Sequence, residues 1–130
     1  MKLFELMKVH VVTASPSAMM SELIDLMDLY QLSHIPIVNR DNAPVGIVMI
    51  ETIARELNRK QPEPGYITAE TLMIGTDFSL DEQVDASVAE RMLTGNSLRR
   101  LCVTSNGLIV GTVGWVELCQ DRINSVGVCD

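Results

Sequence analysis

Two adjacent arginines, Arg99 and Arg100, carry the strongest chemical signal in this chain of 130 residues. Each guanidinium is a planar fork of donors that suits phosphate oxygens. The pair is a local exception, because ten Lys and Arg stand against seventeen Asp and Glu, a net charge of −7. That balance argues against a broad basic surface for DNA or RNA. It does not exclude one bound phosphate. The alternative for the two arginines is a surface pair that balances neighbouring acids.

Other reactive side chains carry less. Asp25 and Asp28 fall on the polar side of an amphipathic helix pattern, where solvation is the default. His10 and His34 have no second ligand nearby in sequence, so no zinc or iron site is expected. Cys102, Cys119 and Cys129 cannot all pair and show no C-x-x-C spacing; they read as reduced thiols of a cytoplasmic protein. No phosphate loop, dinucleotide fingerprint or nucleophile elbow occurs, so no catalytic role is expected. No apolar h-region follows Met1-Lys2-Leu3-Phe4. The longest apolar stretch, Leu108 to Val116, is far short of the ~20 residues that span a bilayer, so no membrane partner is expected.

The elements that must hold these residues are duplicated. Leu32-Ser33-His34-Ile35-Pro36-Ile37-Val38 aligns with Leu98-Arg99-Arg100-Leu101-Cys102-Val103-Thr104, an offset of 66 from Ile35 to Leu101. The same offset carries Met7 onto Met73 and Thr13 onto Ser79, and Val45-Gly46-Ile47-Val48 meets Val110-Gly111-Thr112-Val113 one residue closer. Each half begins with a short apolar strand, as in Val11-Val12-Thr13-Ala14. A helix follows, with Ser15 at the N-cap and Pro16 at its first position, and Asp81 as the corresponding cap. Met20, Leu23, Ile24 and Met27 mark one apolar helix face, and Gly95-Asn96 a helix stop. Two strands then form a hairpin, Ile35 to Val38 with Val45 to Ile50, and Leu101 to Thr104 with Leu108 to Val113. Asn106-Gly107 is the expected turn of the second. Final helices start near Glu51 and Trp115. Hydrophobic residues make up 47% but aromatics only 4%, so the core must be aliphatic. Halves of this size are too small to stand alone and should pack together.

This order and duplication resemble tandem CBS domains, the paired regulatory unit named after cystathionine β-synthase. The residues carrying the resemblance are Val11-Val12-Thr13-Ala14-Ser15-Pro16, Glu22-Leu23-Ile24-Asp25-Leu26-Met27, Ser33-His34-Ile35-Pro36-Ile37-Val38 and Val45-Gly46-Ile47-Val48. The resemblance implies an α/β fold of two β-α-β-β-α repeats, packed pseudo-symmetrically as one intertwined unit. The first repeat covers 3–60, a connector 61–70, the second repeat 71–122 and a tail 123–130.

It further implies a non-catalytic regulatory module that binds an adenosine-containing ligand (AMP, ADP, ATP or S-adenosylmethionine) between the repeats. No cofactor is required. A homodimer and an unknown regulated protein, acted on in trans, are the implied partners. The alternative is a pair whose nucleotide sites have decayed and which serves as a dimerisation or interaction module. The family pattern Gly-x-x-Thr/Ser-x-x-Asp/Asn falls on Gly46, Met49 and Thr52 in one half and on Gly111, Gly114 and Glu117 in the other. Thr52 and Glu117 are thereby the ribose candidates. For Glu117 the alternative is a solvated acid in a helix's first turn. Phosphate contacts fall on Ser33 and His34 in one half and on Arg99 and Arg100 in the other; only one of two neighbours on a strand can enter a site, and Arg100 is the choice, with Arg99 in reserve. Thr13 and Ser79 match a position near adenine and phosphate. Val12, Ile35, Val45, Phe78, Leu101 and Val110 would line the adenine pocket or serve as core.

Overall fold

The structure is a computed structural model that describes residues 1–9, 11–59, 64–75, 79–96 and 98–125, the last five by their backbone only. His10, Phe78 and parts of the expected connector and tail therefore lie outside the described residues. The chain divides into two compact units that do not follow chain order: Val12–Thr76, and Met1–Val11 together with Asp77–Asp130.

In the unit Val12–Thr76, strand β1 (His34–Val38) is buried at four of its five positions and β2 (Pro44–Met49) at its last four. Such continuous burial suits a near-unbroken apolar run rather than alternation. The two pair antiparallel, with His34 opposite Met49 and Ile37 opposite Gly46. Helix α2 (Met20–Tyr30) turns Met20, Leu23 and Met27 onto the sheet and ends on Gln31 in the left-handed conformation, φ 53. Helix α3 (Ile50–Leu57) adds Ile53, and the short helix α4 (Ala69–Leu72) adds Ala69 and Leu72. Strand β3 (Ile74–Gly75) closes the sheet beside β2.

In the other unit, β4 (Leu80–Asp81) runs parallel to β5 (Arg100–Ser105), which pairs antiparallel with β6 (Leu108–Gly114). Asn106 (φ 54) and Gly107 (φ 80) form the turn, both left-handed as a tight hairpin requires. The core joins Leu3 of helix α1 (Leu3–Leu6), Ala86, Ala89 and Leu93 of α5 (Ala86–Asn96), Leu101, Val103 and Val113 of the strands, and Leu118 of α6 (Trp115–Ser125).

The unit built on β4, β5 and β6 thus takes its leading segment, Met1–Val11, from the far end of the chain, whereas the other unit is continuous. Lys8 and Thr112 exchange two backbone hydrogen bonds of 2.8 and 3.0 Å, which seat residues 1–8 on β6. Ala18 and Ala69, and Met20 and Ile67, are linked in the same way by bonds of 2.8 and 2.7 Å. So within the stretch 61–70, expected as a connector, Ala69 is fully buried. Two glycines make this seating possible. A Cβ on Gly111 would meet Met7 Sδ at 2.7 Å and the Lys8 carbonyl at 2.8 Å; one on Gly46 would meet Met73 Sδ at 2.5 Å.

Three local expectations are corrected. Ser15 caps no helix: its hydroxyl accepts from the Ser17 N–H (3.1 Å) in a turn, and α2 begins only at Met20. Asp81 likewise accepts from the Gln83 N–H (2.9 Å), while Asp85 is the residue that caps α5 through the Ser87 N–H (3.0 Å). In both places a side-chain oxygen closes a turn two residues on, a competing local bond that the same residue types favour. The stop expected at Gly95-Asn96 is where α5 ends, and the Asn96 side chain donates to the Met92 carbonyl (3.1 Å). The apolar strand expected at residues 11–14 is reduced to one bridge, Ala14 with Ile37.

Candidate functional site

Arg100 begins β5 opposite Gly114, the last residue of β6, and Glu117 lies in the first turn of α6. The strand pairing brings a guanidinium, a glycine and a carboxylate together. Arg100 Nη2 donates to Glu117 Oε1, and also to the Thr112 hydroxyl at 3.3 Å. Glu117 Oε1 in turn accepts from the Gly114 N–H at 2.8 Å. That last bond is the reach of a first-turn carboxylate back to the residue before its helix, one half of a capping box. The carboxylate is therefore held by the helix start, and the arginine is held by the carboxylate. Both side chains are largely buried, with 12% and 15% of their surface exposed.

Gly114 has a packing reason to be glycine. An added Cβ would lie 2.9 Å from the Arg99 carbonyl and 3.0 Å from Arg100 Nη1. The guanidinium lies across the place a side chain would take. Arg100 Nε is buried with no hydrogen-bond partner. Thr112, fully buried, was not foreseen as part of the site. Its signal is chemical: a hydroxyl inside an apolar strand needs a partner when buried.

The same positions in the other unit hold different chemistry. His34 faces Met49 across β1 and β2, as Arg100 faces Gly114, and Thr52 stands where Glu117 does. His34 is buried, and its Nδ1 lies 3.3 Å from the Ser33 hydroxyl. Met49 is buried in place of the glycine. A long cation over a glycine in one unit is thus exchanged for a short ring beside a methionine in the other. Thr52 accepts a long contact, 3.5 Å, from Arg55 Nη2. Neither a carboxylate nor a guanidinium is placed at these three positions.

The remaining expected residues are dispersed. Thr13 is half-buried one residue before the Ala14–Ile37 bridge, and Ser79 is half-buried one residue before β4. Thr13, His34 and Thr52 belong to one unit; Ser79, Arg99, Arg100 and Glu117 to the other. The Arg99 side chain is exposed. Ile35 and Leu101 are core residues, while Val12, Val45 and Val110 are half-buried. Burial pushes the Cys102 thiol up to about 11, so it stays protonated near neutrality. Among the described residues no cluster of three His, Cys, Asp or Glu could hold a metal, and no helix is long and apolar enough to cross a membrane.

A groove of about 450 Å³ runs between α2 and α3, with Ile24, Met27, Leu32, Ile53 and Leu57 as its apolar lining and Asp28 at its edge. Exposed Leu29, Ile50 and Leu57 lie on the same two helices.

Residues 3–59 match the family model of the CBS domain. The chain is similar to an uncharacterised protein of Methanopyrus kandleri, 23% identical over 117 residues, which cover 89% of this chain and 60% of that protein. It thus spans about 60% of the length of that curated relative. Among solved structures, the CBS domain pair of protein MJ0100, in complex with 5′-methylthioadenosine and S-adenosyl-L-methionine, superposes with a TM-score of 0.83 at 17% identity. That match covers 96% of this chain and 98% of the other. CBSX2 in complex with AMP superposes with a TM-score of 0.79 at 14% identity, covering 95% and 96%. Residues 3–59 are thus similar to a CBS domain, and the chain as a whole has the fold of a CBS domain pair, an α/β fold of two repeats.

Proposed function

We propose that this chain is a non-catalytic regulatory module, one that binds an adenosine-containing ligand, forms a homodimer and acts on a partner protein in trans. The observation that carries the reading is the convergence of Arg100, Thr112 and Glu117 at the turn into α6. These are donors and acceptors of the kinds a nucleoside needs: an ionised carboxylate is acceptor-only and suits a vicinal diol. Ligands of this class occupy solved structures of the same fold, AMP in CBSX2 and two adenosyl compounds in MJ0100. The apolar groove and the exposed leucines of α2 and α3 support the dimer, because contiguous apolar surface marks interaction sites.

A thermal-shift screen with AMP, ATP and S-adenosylmethionine tests the reading, with Arg100→Ala and Glu117→Ala alongside. A ligand that binds only the folded state stabilises it by about 2.7 kcal/mol at a hundred times its Kd. The expected result is a clear rise in melting temperature for at least one ligand, lost in one or both variants. A flat response to every ligand at millimolar concentration refutes the reading.

A second reading has specific support. Met49 fills one hydroxyl position and Arg100 covers the other, Gly114. If both sites have decayed, the protein is a dimerisation module whose melting point no nucleotide moves, while sedimentation still shows a dimer.

A further inference from the structure

The Arg100–Glu117 pair bears on which adenosine ligands the site admits, an inference that rests on the proposed function and sharpens it. The one guanidinium among these contacts is already neutralised. Its Nη2 is shared between Glu117 and Thr112, and its Nε is buried out of reach. The carboxylate cannot readily leave, because the Gly114 N–H holds the same oxygen at the start of α6. A phosphate brought to Arg100 would meet a fixed negative charge at almost the same distance as the positive one. Attraction and repulsion then nearly cancel, and a low-dielectric setting strengthens both equally. The rest of the protein, at net −7, adds no compensating field. At the matching positions of the other unit stand His34, Met49 and Thr52, with no carboxylate. The constraint therefore belongs to one locus.

The geometry points to Glu117 as a specificity-determining residue that makes the Arg100 locus reject phosphorylated adenosines and accept adenosyl ligands without phosphate. The carboxylate keeps its second oxygen to receive a ribose hydroxyl, while the arginine serves as its counter-ion. A thioether nucleoside brings no charge to that place, and a sulfonium nucleoside brings a positive sulfur where a nucleotide brings its phosphate. A nucleoside mono- or triphosphate meets a like charge there.

The test is calorimetric titration of the full chain with four probes: 5′-methylthioadenosine, S-adenosylmethionine, AMP and ATP. The wild type should bind a phosphate-free probe at least about tenfold more tightly than AMP, or about 1.4 kcal/mol. Glu117→Gln keeps an acceptor for the Gly114 N–H and frees the guanidinium. It should shift the preference toward AMP by about tenfold or more. Arg100→Met leaves the carboxylate unbalanced and should weaken AMP more than it weakens methylthioadenosine. It also keeps the proposal open to refutation if Glu117→Gln melts too low to titrate. Equal wild-type affinity for AMP and methylthioadenosine overturns the inference alone. So does a preference that neither variant moves. Failure of all four probes overturns the proposed function as well.

Discussion

Replacing Gly111 by alanine asks whether this glycine serves the packing of residues 1–8. The new Cβ would sit 2.7 Å from Met7 Sδ, 3.0 Å from Met7 Cγ and 2.8 Å from the Lys8 carbonyl oxygen. The methionine tail can swing aside. The carbonyl cannot, because it accepts from the Thr112 N–H at 3.0 Å while the Lys8 N–H donates to the Thr112 carbonyl at 2.8 Å. Overpacking a filled site costs about 1–3 kcal/mol. Loss of the two backbone bonds adds about 0.5–1.5 kcal/mol each. The expected destabilisation is therefore about 2–6 kcal/mol, a large share of a small domain's typical ~5–15 kcal/mol. Equilibrium urea unfolding measures it. Gly46→Ala should behave alike, since its Cβ would meet Met73 Sδ at 2.5 Å and the Ile74 carbonyl at 2.9 Å. Gly95→Ala is the control: nothing lies within 4 Å, it is inside a helix, and it should stabilise by about 0.4–1 kcal/mol. Adding Met7→Ala to Gly111→Ala should recover only part of the loss, because the Lys8 carbonyl remains. If Gly111→Ala is as harmless as Gly95→Ala, residues 1–8 are not seated on β6.

Two further outcomes follow from side-chain environments. Cys119 is exposed, and Cys102 is buried with its thiol pushed up to about 11. At pH 8 iodoacetamide should modify Cys119 readily and Cys102 only on unfolding, as peptide mass mapping would show; equal rates would contradict the burial. The hydroxyl and N–H of Ser87 hold the Asp85 carboxyl well below its ordinary 3.8. Its contribution to stability is thus present above pH 3.8 and is lost as the pH falls below that value. Asp85→Asn should lower the urea midpoint at pH 7 and narrow the gap to wild type as the pH is taken below 3.8, whereas a gap that stays constant with pH would exclude this linkage.

Much of the fold was legible because it rests on patterns that repeat. Two runs of apolar residues about a turn, found twice at a near-constant offset, are enough to define two hairpins, and Asn106-Gly107 names its own turn. The helix starts were less legible. Ser15-Pro16 and Asp81 carry good capping chemistry, yet each closes a turn and the helix begins four or five residues later. Whether such a residue starts a helix depends on what satisfies the next backbone groups. For Met20 that is the Ile67 carbonyl, remote in sequence. Gly46 and Gly111 stand in the ligand pattern of the family, but their backbones are crowded by Met73 and Met7. The pairing of those methionines was visible as a repeat; their contact with the glycines was not.

From the residues alone came an acidic, aliphatic, duplicated α/β chain with one arginine pair out of keeping with its charge, because composition and periodicity are properties of the string. That Arg100 is paired with Glu117 was decided by tertiary structure. The two are seventeen residues apart, and only the antiparallel register of β5 on β6, followed by the first turn of α6, brings their side chains into contact. Sequence can nominate a cation and an anion separately; whether each is left for a ligand or consumed by the other is a matter of where the strands end.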